Sequence, residues 1–279
     1  MPHMQLWEAI LLILIVDALV AYAIARLHHE APKGSWFSDS QRAAAAFAVT
    51  GTIFAVLVGF VFLLAFQSFQ NARSSARDEA IAALGLFNSA DRFTVGDQGH
   101  LQADAICYGR AVVSLEWPAM ADERSSPVVD EWIGALSQAF NGVPLRGAAQ
   151  SDAAQNWFDE TDALQRGRQG RLAEAPRVIP TTIWVLLLIA GLAVIVFSPL
   201  FSDSGERLWA QLALGIAVTT AVAASLLTVN FLDRPYGSHA GAIQPTAMRS
   251  ALATMERGLP PATRNAIRLR CDANGRPSA

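Results

Sequence analysis

Long uninterrupted apolar runs alternate with stretches of ordinary polarity along this chain. Residues 43–72, 178–202 and 208–232 contain no Asp, Glu, Lys or Arg, and each exceeds the roughly 20 residues that a helix needs to cross a hydrocarbon core of ~30 Å. All three are predicted to span a membrane. A fourth run, residues 6–25, is of the right length but carries Glu8 at its edge and Asp17 near its middle. Ala21-Tyr22-Ala23 and Ala23-Ile24-Ala25 mimic signal-peptide cleavage sites, yet residues 1–5 lack the positive charge of a secretory leader. The run is therefore read as a retained first helix.

The second run continues without a turn signal through residues 67–88, where Arg73, Arg77, Asp78 and Glu79 stand among Ala and Leu. One helix is expected to leave the membrane and carry on. Further helices are expected over residues 101–116, 128–140 and 152–173, with Pro118, Pro127 and Pro144 as breaks. No strand-like alternation of useful length is present. The fold class is an all-α integral membrane protein: transmembrane helices 1 and 2 in residues 1–66, a helical domain in 67–177, transmembrane helices 3 and 4 in 178–232, and a C-terminal segment in 233–279.

Composition agrees, since 52% of the 279 residues are apolar and only 16% charged, against about 25% charged in ordinary globular chains. A net charge of -3 excludes the basic face that nucleic acid requires. With four spans, the N-terminus, the helical domain and the C-terminal segment share one face. That face offers Arg73, Arg77, Arg166, Arg168, Arg171, Arg177, Arg234 and Arg249 near the spans, against Arg26, Lys33, Arg42 and Arg207 on the other. The positive-inside rule then makes the domain and both termini cytoplasmic. Cys107 and Cys271 lie far apart with no metal-like spacing and are expected to be free thiols in a reducing compartment.

Catalytic chemistry is not evident. No phosphate-binding loop, zinc-protease, nucleophile-elbow or dinucleotide motif occurs. His28, His29 and Glu30 are adjacent in sequence, which places them poorly for sharing one metal ion. Asp159, Glu160 and Asp162 read as a solvated face or as partners for nearby Arg. No enzyme, cofactor or metal is expected. Arg166, Arg168 and Arg171 could bind anionic headgroups, although an ordinary membrane flank accounts for them equally well.

Within the membrane, Asp17 costs roughly 2.5–3.5 kcal/mol to insert. It is either a structural acid bonded to a neighbouring helix or a proton carrier. On span two, Gly51, Ala55 and Gly59 recur every fourth residue as a small-residue strip for helix packing. Thr52, Val56 and Phe60 form the adjacent strip, which could serve as a hydrophobic pore constriction or simply as an apolar face.

Gly59-Phe60, Phe69 and Asn71 stand at the intervals of the second helix of bestrophins, and Arg234-Pro235-Tyr236-Gly237 resembles the Asn-Pro-Phe-Gly element after the fourth. Asp78-Glu79-Ala80, Glu116-Trp117-Pro118, residues 166–172 and Leu232-Asp233 also resemble the bacterial bestrophin-like membrane proteins, relatives of the bestrophin anion channels. The resemblance implies a homo-oligomer, as in the pentameric bestrophins, in a bacterial inner membrane. It further implies conduction of small inorganic ions, most often anions, through a neck at Thr52, Val56 and Phe60. Thr52 and Val56 are smaller than their bestrophin counterparts. Arg73 and Arg77 would face a vestibule. The acidic run that binds Ca²⁺ in calcium-gated bestrophins is replaced here by Ser238-His239-Ala240-Gly241, so no calcium clasp is expected. A proton-coupled transporter using Asp17, and a non-conducting scaffold or sensor acting through its helical domain, are the alternatives.

Overall fold

The computed structural model describes residues 6–30, 40–93, 95–139, 147–201, 205, 207–237, 239, 241–259 and 270–278. Met1–Gln5, Lys33, Phe140, Pro144, Ser202, Asp203, Ser238 and Ala240, on which sequence expectations fell, lie outside these residues. The described residues form nine α-helices and no strand. They are α1 (Leu6–Glu30), α2 (Ser40–Ser89), α3 (Val95–Ala111), α4 (Trp117–Ala121), α5 (Pro127–Ala139), α6 (Ala148–Ala173), α7 (Thr181–Phe197), α8 (Leu208–Leu232) and α9 (Thr246–Gly258). Helices α1, α2 and α8, and α7 together with the 3-10 turn that carries it on to Phe201, are long and apolar enough to cross a membrane.

The chain divides into two compact units. The first holds α1, α2 up to Ser68, α7 and α8. Here α8 is the common partner. Helix α1 packs antiparallel on it: Ile24 occupies the space that a side chain at Gly215 would need, Thr220 donates to Asp17, and His28 pairs with Gln211. Helices α2 and α7 meet α8 through Phe54, Val194 and Val222, and again through Val61, Ala65, Leu187 and Val229. Asp233, just beyond α8, accepts hydrogen bonds from the Val178 and Ile179 amides at 3.0 and 2.9 Å and from the Trp184 indole at 3.1 Å. It thereby ties the end of α8 to the segment leading into α7 and to the first turn of that helix.

The second unit runs from Phe69 through α6 and also takes in Pro235–Gly237 and the chain from Ala242 onward. Its core is built from the Ala-rich face of α2 (Ala72, Ala76, Ala80, Ala83), joined by Leu86, Ile106, Tyr108, Trp157, Leu164 and Met255. Small residues let α6 lie antiparallel against α2. Gly85 faces Glu160, Ser75 faces Gly170, and a Cβ at Gly167 would come within 2.7 Å of the Glu79 amide.

Two local expectations change. Pro118 does not break the chain's helical path but sits early in α4, after a π turn over Val112–Glu116. A proline lacks an N–H and crowds the carbonyl four residues back; the wider π turn takes up both defects at that point. Pro127, in contrast, opens α5, where its missing donor costs nothing. The larger correction concerns the cysteines. Cys107 and Cys271 are not free thiols but a disulfide across 164 residues of sequence.

Gly167→Ala should lower the thermal midpoint of the detergent-purified protein, by the ~1–3 kcal/mol typical of overpacking. Gly134→Ala, within α5 and with open space around it, should instead gain up to ~1 kcal/mol from helix propensity. Equal shifts at the two positions would contradict the close α2–α6 approach.

Candidate functional site

Two constellations stand out, one in each unit. In the helical unit, Arg171 is buried completely, as are Glu79 and Glu116. Its guanidinium donates Nε to Glu79, Nη2 to Glu79 at 2.8 Å, and Nη2 to Glu116. Tyr108 adds a 2.6 Å hydrogen bond to the same Glu79 carboxylate. Arg168, one helical turn earlier on α6, reaches Glu116 at 2.6 Å and the Asp130 carboxylate at 2.6 Å. The Trp117 ring lies 5.2 Å from the Arg171 guanidinium carbon and meets Tyr236 edge-on at 5.4 Å. Tyr236 in turn donates to the Ala72 carbonyl of α2 at 2.9 Å.

This arrangement follows from helical spacing. Arg168 and Arg171 are three residues apart and share a face of α6. Arg166 falls on another face and is exposed. On α2, Glu79 lies with Ala72, Ala76 and Ala83 on the buried face, whereas Arg77 and Asp78 are exposed. Two carboxylates and two guanidiniums balance within the core, and Asp130 closes the rim. Burial opposes the charge on Arg171, but Glu79 and Glu116 more than offset it and push its pKa up. Burial likewise opposes ionisation of Glu116, yet the Arg168 hydrogen bond and the two arginine charges together hold its pKa below the ordinary value. Burial and the Glu79 charge drive the Tyr108 hydroxyl well upward, so it stays a donor.

Arg168 and Arg171 are therefore buried in ion pairs and not exposed to lipid headgroups. The sequence singles out the segments that meet here, namely Glu79, Glu116-Trp117, Arg168 to Arg171, and Tyr236, but only through resemblance. Nothing in their spacing reveals that they converge. The acidic cluster upstream behaves differently: Asp159 and Asp162 are exposed, and Glu160 packs at Gly85, where burial and the Asp159 charge raise its pKa. Among the described residues no group of three His, Cys, Asp or Glu is placed to hold a metal ion.

The membrane unit carries the second constellation. Val56 is 52% and Phe60 65% exposed within the chain, and Thr52, Ala55 and Gly59 are also uncovered. Phe54, Val61 and Ala65, on the opposite side of the same helix, are buried against α7 and α8. Among the described residues a Cβ at Gly51 or Gly59 would meet nothing within 4 Å, so neither glycine is required for a close helix approach there. Arg73 and Arg77 are exposed on the part of α2 that belongs to the helical unit. Asp17 accepts its hydrogen bond from Thr220 at 2.8 Å, the structural-acid arrangement, while its other oxygen is buried without a partner among the described residues. His239 contacts the Arg234 carbonyl at 2.8 Å and stacks on Phe231.

An all-helical chain with four membrane spans, and a long second span running on into a helical unit, defines the class of protein. Residues 11–248 match the model of the Bestrophin-like domain, and the chain belongs to that family. Among solved structures, a bacterial bestrophin homologue from Klebsiella pneumoniae bearing a tryptophan-to-alanine substitution is similar with a TM-score of 0.69 at 15% identity, covering 91% of this chain and 97% of that one. The homologue solved by zinc phasing gives 0.61 at 14% identity, covering 92% and 100%. At these identities the likeness is one of fold. No curated protein matches.

Arg171→Met should destabilise the protein by ~3–5 kcal/mol, because it leaves the buried Glu79 carboxylate without a cation and Glu116 with Arg168 alone. Arg166→Ala should stay within ~0.5 kcal/mol of wild type. Because Glu116 has a lowered pKa when folded, its stabilisation is fully present above the unfolded carboxyl value. It is lost as pH falls through the folded one. Unfolding midpoints measured from neutral pH down to the carboxylate range should therefore decline on acidification, and less steeply in Glu116→Gln.

Proposed function

We propose that the protein is an oligomeric ion channel whose pore is lined by α2, with a hydrophobic neck at Thr52, Val56 and Phe60. The observation that carries this reading is the uncovered strip on α2. One face of the helix packs on α7 and α8, while the face bearing Val56 and Phe60 is left open by its own chain. Copies of the helix around an axis would bring that face to the centre. The strip of Gly51, Ala55 and Gly59, with open space at both glycines among the described residues, would then let neighbouring subunits approach closely. Membership of the Bestrophin-like family and the likeness to a bacterial bestrophin homologue support the same assembly.

A pentamer in a bacterial inner membrane and a preference for anions are the forms that the family resemblance favours. A neck of Thr, Val and Phe supplies no fixed charge. Selection there depends on how readily an ion sheds water, which favours weakly hydrated anions. Arg73 and Arg77, exposed beyond the neck, would add positive potential in a vestibule. Ser238-His239-Ala240-Gly241 supplies none of the carboxylates that a calcium clasp needs, so gating by calcium is not part of the proposal.

In planar bilayers under a chloride gradient, purified wild-type protein should carry current. Phe60→Ala should change its conductance several-fold or shift its ion selectivity. Asp17→Asn should conduct like wild type, because an amide preserves the bond to Thr220; loss of transport in that variant would favour a proton-coupled transporter. Absence of current from well-inserted oligomer across voltage and pH would leave a scaffold or sensor as the better account.

A further inference from the structure

We propose that the helical unit and its tail lie on the oxidising face of the membrane, where Cys107 and Cys271 are joined as a structural disulfide. The inference goes beyond the channel reading and does not depend on conduction. The cysteine pair belongs to a built site. Cys107 is fully buried on α3, and Cys271 is 6% exposed on the tail Arg270–Ser278. The tail is seated by several independent contacts: the Trp132 indole donates to the Gly275 carbonyl at 2.7 Å, Arg110 to the Asp272 carbonyl at 3.4 Å, and Arg270 to Asp104 at 3.4 Å. Gly275, with φ +80°, lies so close to the Ala111 backbone that no side chain fits there.

These are the only two cysteines in the chain, and both sulfurs are enclosed. A redox sensor needs an accessible, low-pKa thiolate, which this pair does not offer, whereas a structural disulfide needs a compartment where disulfides form and persist. Cys271 lies outside residues 11–248 that match the family.

By position near the spans the domain side carries Arg73, Arg77, Arg166, Arg168, Arg171, Arg177, Arg234 and Arg249 against Arg26, Lys33, Arg42 and Arg207 opposite, and because insertion precedes folding the burial of Arg168 and Arg171 does not remove them from that count. Charges in long domains weigh little in the positive-inside rule, and those flanking the early spans weigh most. Residues 1–25 hold no Lys or Arg, whereas Arg26, Lys33 and Arg42 all fall between α1 and the apolar part of α2. That pattern retains the α1–α2 connection in the cytoplasm and sends the helical unit across.

The oxidant would be a protein dithiol oxidase. One thiolate attacks its disulfide to give a mixed disulfide, and the second thiolate displaces it. The Cys107–Cys271 bond forms, the oxidase leaves as a dithiol, and two electrons pass to it. The orientation is read with single added cysteines in the otherwise wild-type chain, whose own pair is enclosed. In intact cells a membrane-impermeant maleimide should label Ser250→Cys and Glu131→Cys, both at exposed positions. It should label Gln41→Cys and Gly205→Cys only after the membranes are opened. In acid-quenched cells, wild-type protein should show no alkylation shift until reduced and two adducts afterwards, and that protection should be lost in cells lacking the oxidase. The reverse labelling pattern, or freely alkylated native thiols in folded protein, would overturn the proposal.

Discussion

The helical unit turns on a single buried cation. Arg171 lies between Glu79 of α2 and Glu116 at the end of the π turn, with Trp117 against its face. A guanidinium suits the place because its fork of donors engages two carboxylates at once while its plane accepts an aromatic ring. Taking any member away leaves charge in a fully buried core. The requirement reaches outward through Arg168 to Asp130 of α5 and through Trp117 and Tyr236 back to Ala72 of α2. Segments scattered over more than 150 residues of sequence are thus held to one helix.

That helix is also the element whose two halves have different duties. Its first half is apolar all round, which a lipid environment tolerates, and only one side is taken up by α7 and α8. Its second half is amphipathic, with alanines and Glu79 inward and Arg73, Arg77 and Asp78 outward. Both halves belong to one helix of 50 residues.

Charge changes meaning once its surroundings are known. Arg166, Arg168 and Arg171 look alike in sequence as a basic flank, yet one is solvated and two are neutralised in the interior.

Much of the architecture was already written in hydropathy. A bilayer requires about 20 apolar residues per span and full internal hydrogen bonding, so four runs free or nearly free of charge could hardly become anything but helices. The continuation of α2 past the membrane was legible in the absence of a turn signal after residue 66, and the helices around 101–116, 128–140 and 152–173 in the stretches between prolines, whereas α9 in the C-terminal segment was not. Tertiary structure alone decided the rest: that Glu79, Glu116, Arg168 and Arg171 form one site, that Asp17 faces Thr220, that Pro118 is absorbed by a π turn, and that Cys107 meets Cys271. Hydropathy is a local property that reads out one residue at a time. Pairing across 92 residues, as between Glu79 and Arg171, or across 164, as between the cysteines, depends on how helices cross, and a single sequence carries no local mark of the crossing.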